Sequence, residues 1–129
     1  MAGNISKYIV DASFVLSFLL LDEFNPQVEK AFEQFRLKQV QLTAPFVLPF
    51  EVFNGLHASL RSHRVDIDTI TELGQKFLSL GINLCEVDYE QVSKLALKQN
   101  LSFYDASYVY LAQSEQAKLL TLDKKLQDQ

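Results

Sequence analysis

The chain is poor in the residues that mark several classes of protein. Its single cysteine, Cys85, cannot form an internal disulfide, which favours a reducing compartment. It has only four glycines and neither a G-x-G-x-x-G nor a G-K-[ST] sequence, so it lacks the phosphate-binding loops of nucleotide-binding folds. Its longest apolar stretch, residues 14–21, is too short to span a bilayer, and no signal-peptide cleavage pattern follows it. We therefore expect a cytoplasmic protein.

Positive charge is also scarce. The net charge of −4 argues against an unaided nucleic-acid binder, because phosphate contacts need Lys and Arg. A bound cation would cancel part of that charge, and basic residues cluster locally, for example at Lys124 and Lys125. Such clusters are equally typical of solvated helix ends, so both interpretations stay open. The two histidines and Cys85 do not have the spacing of a zinc site.

The remaining pattern alternates between strands and helices in what we expect to be one domain, residues 1–129. Short β-rich runs predict strands at 7–10, 40–43, 82–87 and 119–122. Helical patterns predict helices at 12–21, 26–38, 46–63, 89–98 and 102–115, with a helical stub at 124–129. A further helix is predicted between 46–63 and 89–98; it begins at a cap, Asp66 or Asp68, and ends at Gly81. In the fourth helix, the residues predicted to face inward are Ile67, Ile70, Leu73, Phe77 and Leu78. Strands joined by helices favour a parallel sheet covered on both faces, which is a three-layer α/β/α sandwich.

Four carboxylates adjoin apolar runs, where surface charge is not expected. They are Asp11, Glu51, Asp105 and Asp123. Asp11 and Asp123 directly follow predicted strands, so we expect both at the carboxyl edge of the sheet, where ligands bind in open parallel sheets. Asp11, Asp105 and Asp123 also stand at predicted helix starts, where an acid is commonly a cap. Glu51 has no such explanation, and the small or polar Asn54 and Gly55 one turn later leave room beside it.

Together, four neighbouring carboxylates would repel one another. Two unit charges about 4 Å apart repel by roughly 4 kcal/mol at an effective dielectric constant near 20. Either their pKa values rise or a cation binds between them. Oxygen-only ligands favour Mg²⁺ or Mn²⁺, and acids with such ions at a cleft are typical of phosphodiester hydrolysis.

The segments around these acids resemble the four acidic motifs of PIN-domain proteins, in particular the VapC-type toxins of bacterial and archaeal toxin–antitoxin pairs. The segments are Tyr8–Ser13, Pro49–Asn54, Phe103–Ala112 and Leu119–Leu126. The likeness runs through the whole chain in order. It implies a Mg²⁺- or Mn²⁺-dependent endoribonuclease on a PIN-like fold, which leaves a 5′-phosphate and a 3′-hydroxyl.

The resemblance also implies roles and partners. Asp11, Glu51, Asp105 and Asp123 would form the catalytic, metal-binding cluster, and Ser13, Asn54 and Thr121 match supporting positions. RNA would be the substrate, a small antitoxin the inhibitor, and a homodimer the assembly. The antitoxin would dock on apolar surface, for which the Phe-rich stretches at 24–35 and 46–53 are candidates, although most of these Phe residues are expected in the core.

Other classes stay open. A PIN-like scaffold or RNA-processing subunit would keep the fold without binding metal. An acyl- or phosphoryl-aspartate enzyme would use Asp11 as a nucleophile, but such enzymes usually need a second Asp beside it or two residues on, where this chain has Val10 and Ser13. A nucleotide-binding fold is disfavoured by the missing glycine-rich loop.

Overall fold

The computed structural model describes residues 5–22 and 24–128. Within them the chain forms four strands and seven helices, with two helices between consecutive strands and one helix after the last strand. The strands are β1 (Ser6–Val10), β2 (Val40–Pro45), β3 (Asn83–Cys85) and β4 (Lys118–Leu120). The helices are α1 (Ala12–Leu20), α2 (Pro26–Arg36), α3 (Leu48–Arg61), α4 (Ile67–Ser79), α5 (Tyr89–Gln99), α6 (Phe103–Ser114) and α7 (Lys124–Gln127). The element order is as predicted, with ends that differ by a few residues; the predicted stub reaches Gln129, which lies outside the described residues.

The strands form one sheet in the order β3-β2-β1-β4, and every pair is parallel. Consecutive side chains of a strand point to opposite faces, and Ile9 and Val10 of β1 are both fully buried. Both faces of the sheet are therefore covered, which confirms the predicted α/β/α architecture. The chain leaves β1 toward β2 on one side and returns to pair β4 on the other. The strand order reverses between β1 and β4, and ligands of open parallel sheets bind at the carboxyl ends of the strands at such a point.

Helix α1 is apolar on most of its surface because it is packed among α2, α3 and α4. Phe18 of α1 stacks on Phe32 of α2 with ring centroids 4.0 Å apart. Gly55 of α3 lets α1 approach, because a Cβ there would lie 2.3 Å from Cδ1 of Leu16. The space beside Glu51 that the sequence suggested at Gly55 is therefore filled by α1.

Two predicted core positions of α4 are wrong. Ile67 is 68% exposed and Leu78 is 67% exposed, whereas Ile70 and Phe77 are buried and Leu73 is partly buried. Ile67 directly follows the N-cap Asp66, and Leu78 lies about 100° around the helix from Phe77. Both therefore fall outside the buried stripe. Gly81 has a φ of +81°, as expected of a residue that ends a helix in the left-handed region.

No helix in the described part of the chain is both long and apolar enough to cross a membrane. Cys85 lies in β3, is partly buried and packs against the main core, in agreement with a packing role.

Candidate active site

Asp11 lies at the junction of β1 and α1 and is only 4% exposed. It is the N-cap of α1, and its Oδ1 accepts from the backbone N–H of Phe14 at 3.1 Å and from the hydroxyl of Ser13 at 2.7 Å. Its Oδ2 accepts from the hydroxyl of Thr121. Burial raises the pKa of the Asp11 carboxyl, although these three hydrogen bonds act in the opposite direction. The capping role that the sequence presented as one alternative is thus confirmed, and the site role of Asp11 stays a prediction.

The end of β4 is hydrogen-bonded to the start of α1. Val10 pairs with Leu120 in the sheet, so the residues that follow them, Asp11 and Thr121, meet. Thr121 also accepts from the backbone N–H of Asp123 at 3.0 Å, and Ser13 accepts from that of Leu122 at 3.0 Å. Two hydroxyls therefore join the carboxyl ends of neighbouring strands.

Asp123 lies three residues beyond the end of β4 rather than directly after it, because the strand ends at Leu120. It caps α7 by accepting from the backbone N–H of Lys125 at 2.9 Å. Its negative charge contributes to the raised pKa of Asp11. The predicted strand at 119–122 therefore gave the correct edge of the sheet for Asp123, but not its position directly after the strand.

Glu51 lies in the first turn of α3, half-buried. Its Oε1 accepts from the hydroxyl of Tyr108 at 2.6 Å. Burial raises the pKa of Glu51, and the charges of Asp105 and Asp11 raise it further, whereas the Tyr108 hydrogen bond lowers it. Tyr108 is 1% exposed, and burial together with this hydrogen bond raises the pKa of its phenol far above the ordinary value.

Asp105 lies in the first turn of α6, where its backbone N–H donates to the hydroxyl of Ser102 at 3.0 Å. Its Oδ2 lies 3.1 Å from Nζ of Lys125. The side chain of Asp105 is 22% exposed and that of Lys125 is 55% exposed. The Asp105 carboxylate therefore has a cationic partner, and its hydrogen bond and negative charge raise the pKa of Lys125.

The four acids share one electrostatic environment at this edge of the sheet. Asp123 acts on Asp11, and both Asp11 and Asp105 act on Glu51. Within residues 5–22 and 24–128, however, no three His, Cys, Asp or Glu side chains lie close enough together in their present positions to hold a metal ion. The donor chemistry fits a hard divalent cation, because the candidate ligands are carboxylates and burial disfavours the charge on two of them. The acids must still move toward one another to enclose such an ion.

The sequence missed Tyr108 and Lys125 as site residues. Tyr108 lies in an apolar segment, which favours a core position, although its position three residues after Asp105 puts it on the same helix face. The sequence identifies Lys125 only as part of a basic cluster. The structure gives Ser13 and Thr121 contacts with Asp11, as a supporting role requires. Asn54 is exposed, and its supporting role stays a prediction.

Known proteins resemble this chain in sequence. The sequence model of the PIN domain family matches residues 8–129. Ribonuclease VapC3 of Pyrobaculum aerophilum is 34% identical over 125 residues, covering 93% of this chain and 92% of that protein. Exonuclease VapC9 of the same organism is 30% identical over 120 residues, covering 93% and 83%.

Solved structures resemble it in fold. PAE2754 of Pyrobaculum aerophilum superposes with a TM-score of 0.75 at 26% identity, over 95% of this chain and 83% of that one. VapC20 of Mycobacterium tuberculosis, a sarcin-ricin loop cleaving toxin, superposes with a TM-score of 0.65 over 94% of this chain and 93% of that one. At 14% identity the second structure supports the fold alone. The family match over nearly the whole chain and the two VapC relatives confirm the resemblance seen in the acidic motifs, and the chain belongs to the PIN domain family.

Proposed function

We propose that the protein is a metal-dependent endoribonuclease and the toxin of a toxin–antitoxin pair, acting in the cytoplasm. The observation that carries this proposal is the buried carboxylate of Asp11, which lies at the carboxyl end of β1 and is electrostatically coupled to Asp123 and Glu51. A buried acid at such an edge is unfavourable for folding unless a ligand compensates its charge. The relatives named ribonuclease VapC3 and exonuclease VapC9 support nuclease activity.

Mg²⁺ or Mn²⁺ is the proposed cofactor, held by Asp11, Glu51, Asp105 and Asp123. Hydrogen-bond capacity indicates which atom of Asp11 would bind it. Oδ1 accepts two hydrogen bonds and Oδ2 accepts one, and each carboxylate oxygen has two lone pairs. Oδ2 of Asp11 therefore keeps a lone pair for a cation. When bound, the ion would supply an acidified water and offset negative charge on the phosphate.

The chain's own residues orient the acids. Ser13 and Thr121 hold both oxygens of Asp11, which fixes the direction of the remaining lone pair. Tyr108 holds one oxygen of Glu51 and favours its ionised form. An ionised carboxylate is the form that ligates metal or accepts a proton from water. Glu51 and Asp123 are the two candidates for that proton acceptor.

The proposed substrate is single-stranded or looped RNA. A group of acids at the edge of the sheet suits a strand whose bases are splayed apart better than it suits a duplex. The proposed products carry a 5′-phosphate and a 3′-hydroxyl. Because one relative is named an exonuclease, the mode of attack needs a direct test.

A small antitoxin and a second copy of the chain are the proposed protein partners. Of the Phe-rich stretches, Phe32 is buried and packs in the core, whereas Phe24 and Phe50 are 78% and 79% exposed. Phe46 is 52% exposed. These exposed rings supply apolar surface for a partner, although most of the neighbouring aromatic surface is used for folding. Sedimentation equilibrium of the purified chain tests the homodimer.

A circular single-stranded RNA and its linear form, incubated with the protein and Mg²⁺ or Mn²⁺, test the activity. An endonuclease cuts both forms, whereas an exonuclease degrades only the linear one because the circle has no ends. We expect the wild type to cleave both RNA forms with Mg²⁺ or Mn²⁺ and neither form with a chelator. The variant Asp11→Asn should cleave neither form with either metal. Degradation of the linear RNA alone would identify an exonuclease instead.

The alternative is a PIN-like scaffold that binds RNA or protein without cleaving. The absence of a closed group of three ligands among the described residues is the observation that favours it. A rise in melting temperature with millimolar Mn²⁺ separates the two functions, since a ligand that binds only the folded state stabilises it. No shift at saturating Mn²⁺, together with no cleavage, would establish the scaffold function.

A further inference from the structure

Lys125 reaches across the site from a short helix whose backbone is firmly attached. Its own backbone N–H donates to the Asp123 cap, and the next residue, Leu126, is 3% exposed. Gln127 donates from Nε2 to the backbone carbonyl of Thr121 at 3.0 Å. From this anchored position the Lys125 side chain extends to Asp105 on a different helix. The backbone is fixed, while the ammonium lies at the end of a flexible four-carbon chain.

We propose that Lys125 is a substrate-binding residue that alternates between two partners. In the metal-free protein its ammonium neutralises Asp105. When a divalent cation binds the acids, the ammonium leaves Asp105 and contacts a phosphate of the RNA beside the scissile bond. The proposal rests on the nuclease function proposed above and adds a residue that binds its substrate.

The first half of the argument is that Lys125 and the cation compete. The ammonium lies 3.1 Å from Oδ2 of Asp105, within the space that a cation on that carboxylate would need. Two positive charges at one carboxylate repel, so binding of the cation disfavours the ion pair. This agrees with the lack of three assembled ligands in the described residues, because Asp105 is turned toward Lys125.

The second half concerns where the released ammonium goes. An RNA phosphate must approach four carboxylates in a chain of net charge −4, so a local positive charge is needed beside the cluster. The Lys125 side chain is 55% exposed, so it is accessible to a substrate without any change in the backbone. Its neighbour Lys124, the first residue of α7, is also exposed. Among the described residues, Lys124 forms no ion pair with these acids, whereas Lys125 pairs with Asp105.

Lys124 therefore provides a matched control with the same change in net charge. Calorimetric titration with Mn²⁺ in the absence of RNA compares the wild type with Lys125→Gln and Lys124→Gln. We expect Lys125→Gln to bind Mn²⁺ roughly fivefold tighter than Lys124→Gln, because the competing ion pair is gone. Equal affinities in the two variants would overturn the proposal. Melting curves in chelator verify that both variants fold.

RNA binding tests the second half. With metal present, we expect Lys125→Gln to raise KM severalfold with a smaller change in kcat, and to reduce the slope of log KM against log salt by about 1. Lys125→Arg should restore the slope, and Lys124→Gln should leave it unchanged. Both results are required, so tighter Mn²⁺ binding without a change in the salt slope overturns the proposal.

The controls distinguish this failure from failure of the nuclease function. If the wild type binds Mn²⁺ and cleaves RNA while the two Gln variants behave alike, only the role of Lys125 is wrong. If the wild type neither binds Mn²⁺ nor cleaves, both proposals are wrong.

Discussion

The strand side of the site is held by more hydrogen bonds than the helix side. We use strand side for the residues that follow β1 and β4, namely Asp11, Ser13, Thr121 and Asp123. Asp11 alone accepts three hydrogen bonds, and the two hydroxyls that reach it also accept from backbone N–H groups of the β4–α7 segment. The pairing of β1 with β4 brings Thr121 to Asp11, and the start of α1 adds Ser13 and the Phe14 N–H, so backbone elements determine the geometry of this network.

The helix side comprises Glu51, Asp105, Tyr108 and Lys125. Here Glu51 has one hydrogen bond, to Tyr108, and Asp105 has one ion pair, to Lys125. Side chains on helices make these contacts, and Lys125 is 55% exposed whereas Glu51 and Asp105 are partly buried. The comparison indicates one preorganised half and one adjustable half, so we expect that binding of a cation would move the helix side toward the strand side.

The largest expected effect is on the strand side, in Asp11→Asn. The amide keeps one oxygen for Phe14 and Ser13, and its N–H₂ group can donate to Thr121 in place of the present bond, so the fold should be retained. Loss of a residue that only supports a metal ligand costs about 10–100-fold in activity, so loss of this ligand should cost more than about 100-fold. Cleavage assays and thermal melting measure the two quantities. Substantial activity in Asp11→Asn would show that the preorganised carboxylate is not the catalytic one.

Thr121→Val should have the next largest effect. It removes the donor to Asp11 and the acceptor of the Asp123 N–H in a buried place, so we expect a loss of about 2 kcal/mol in the free energy of unfolding. Activity should fall about 10–100-fold, as for other groups that orient a metal ligand. Urea denaturation and initial rates measure these losses.

Thr43→Val is the matched control for that substitution. Thr43 of β2 is fully buried, and its hydroxyl has no hydrogen-bond partner among the described residues. Replacing an unpaired buried hydroxyl by a methyl group should leave stability unchanged or increase it. Equal losses in the two Val variants would mean that the network at Thr121 contributes nothing specific.

Tyr108→Phe tests the helix side and should be milder. The lost hydrogen bond to Glu51 is worth about 1 kcal/mol, and water can replace it because Glu51 is only half-buried. We expect less than about tenfold loss of activity, at the lower end of the effects of supporting residues. A loss as large as that of Thr121→Val would show that the helix side is as rigid as the strand side.

The smallest effect concerns pH. Burial raises the pKa of Asp11 and of Glu51 above the ordinary values of 3.8 and 4.5. The folded state thus holds these protons more tightly than the unfolded state. This contribution to stability is complete below about pH 4 and is lost as pH rises through the folded-state pKa values.

Urea denaturation in chelator from pH 4 to 7.5 should therefore show that the wild type loses stability relative to Asp11→Asn and Glu51→Gln as pH rises. Asp11 is the more buried acid, so its variant should show the greater difference. Mn²⁺ at neutral pH should restore the wild type specifically. A wild type that gains stability over both variants with rising pH would contradict the raised pKa values.

Much of the fold could be predicted because its signals are local. Hydrophobic periodicity, the Asp66 cap and the positive-φ Gly81 specified the order of elements and the parallel sheet. Predictions that depended on neighbours from distant segments were less reliable. Ile67 and Leu78 are apolar but exposed, and Gly55 serves helix packing because Leu16, which lies far from it in sequence, contacts it.

The sequence by itself determined which acids lie near the strand ends and at the starts of helices, because such positions follow from short patterns of residue type. Only the tertiary structure decided how those acids are used. The sheet register brought Thr121 to Asp11, and helix packing brought Tyr108 to Glu51 and Lys125 to Asp105. Each of these pairs joins different elements, and no local pattern encodes such a contact, since it depends on how all the layers pack.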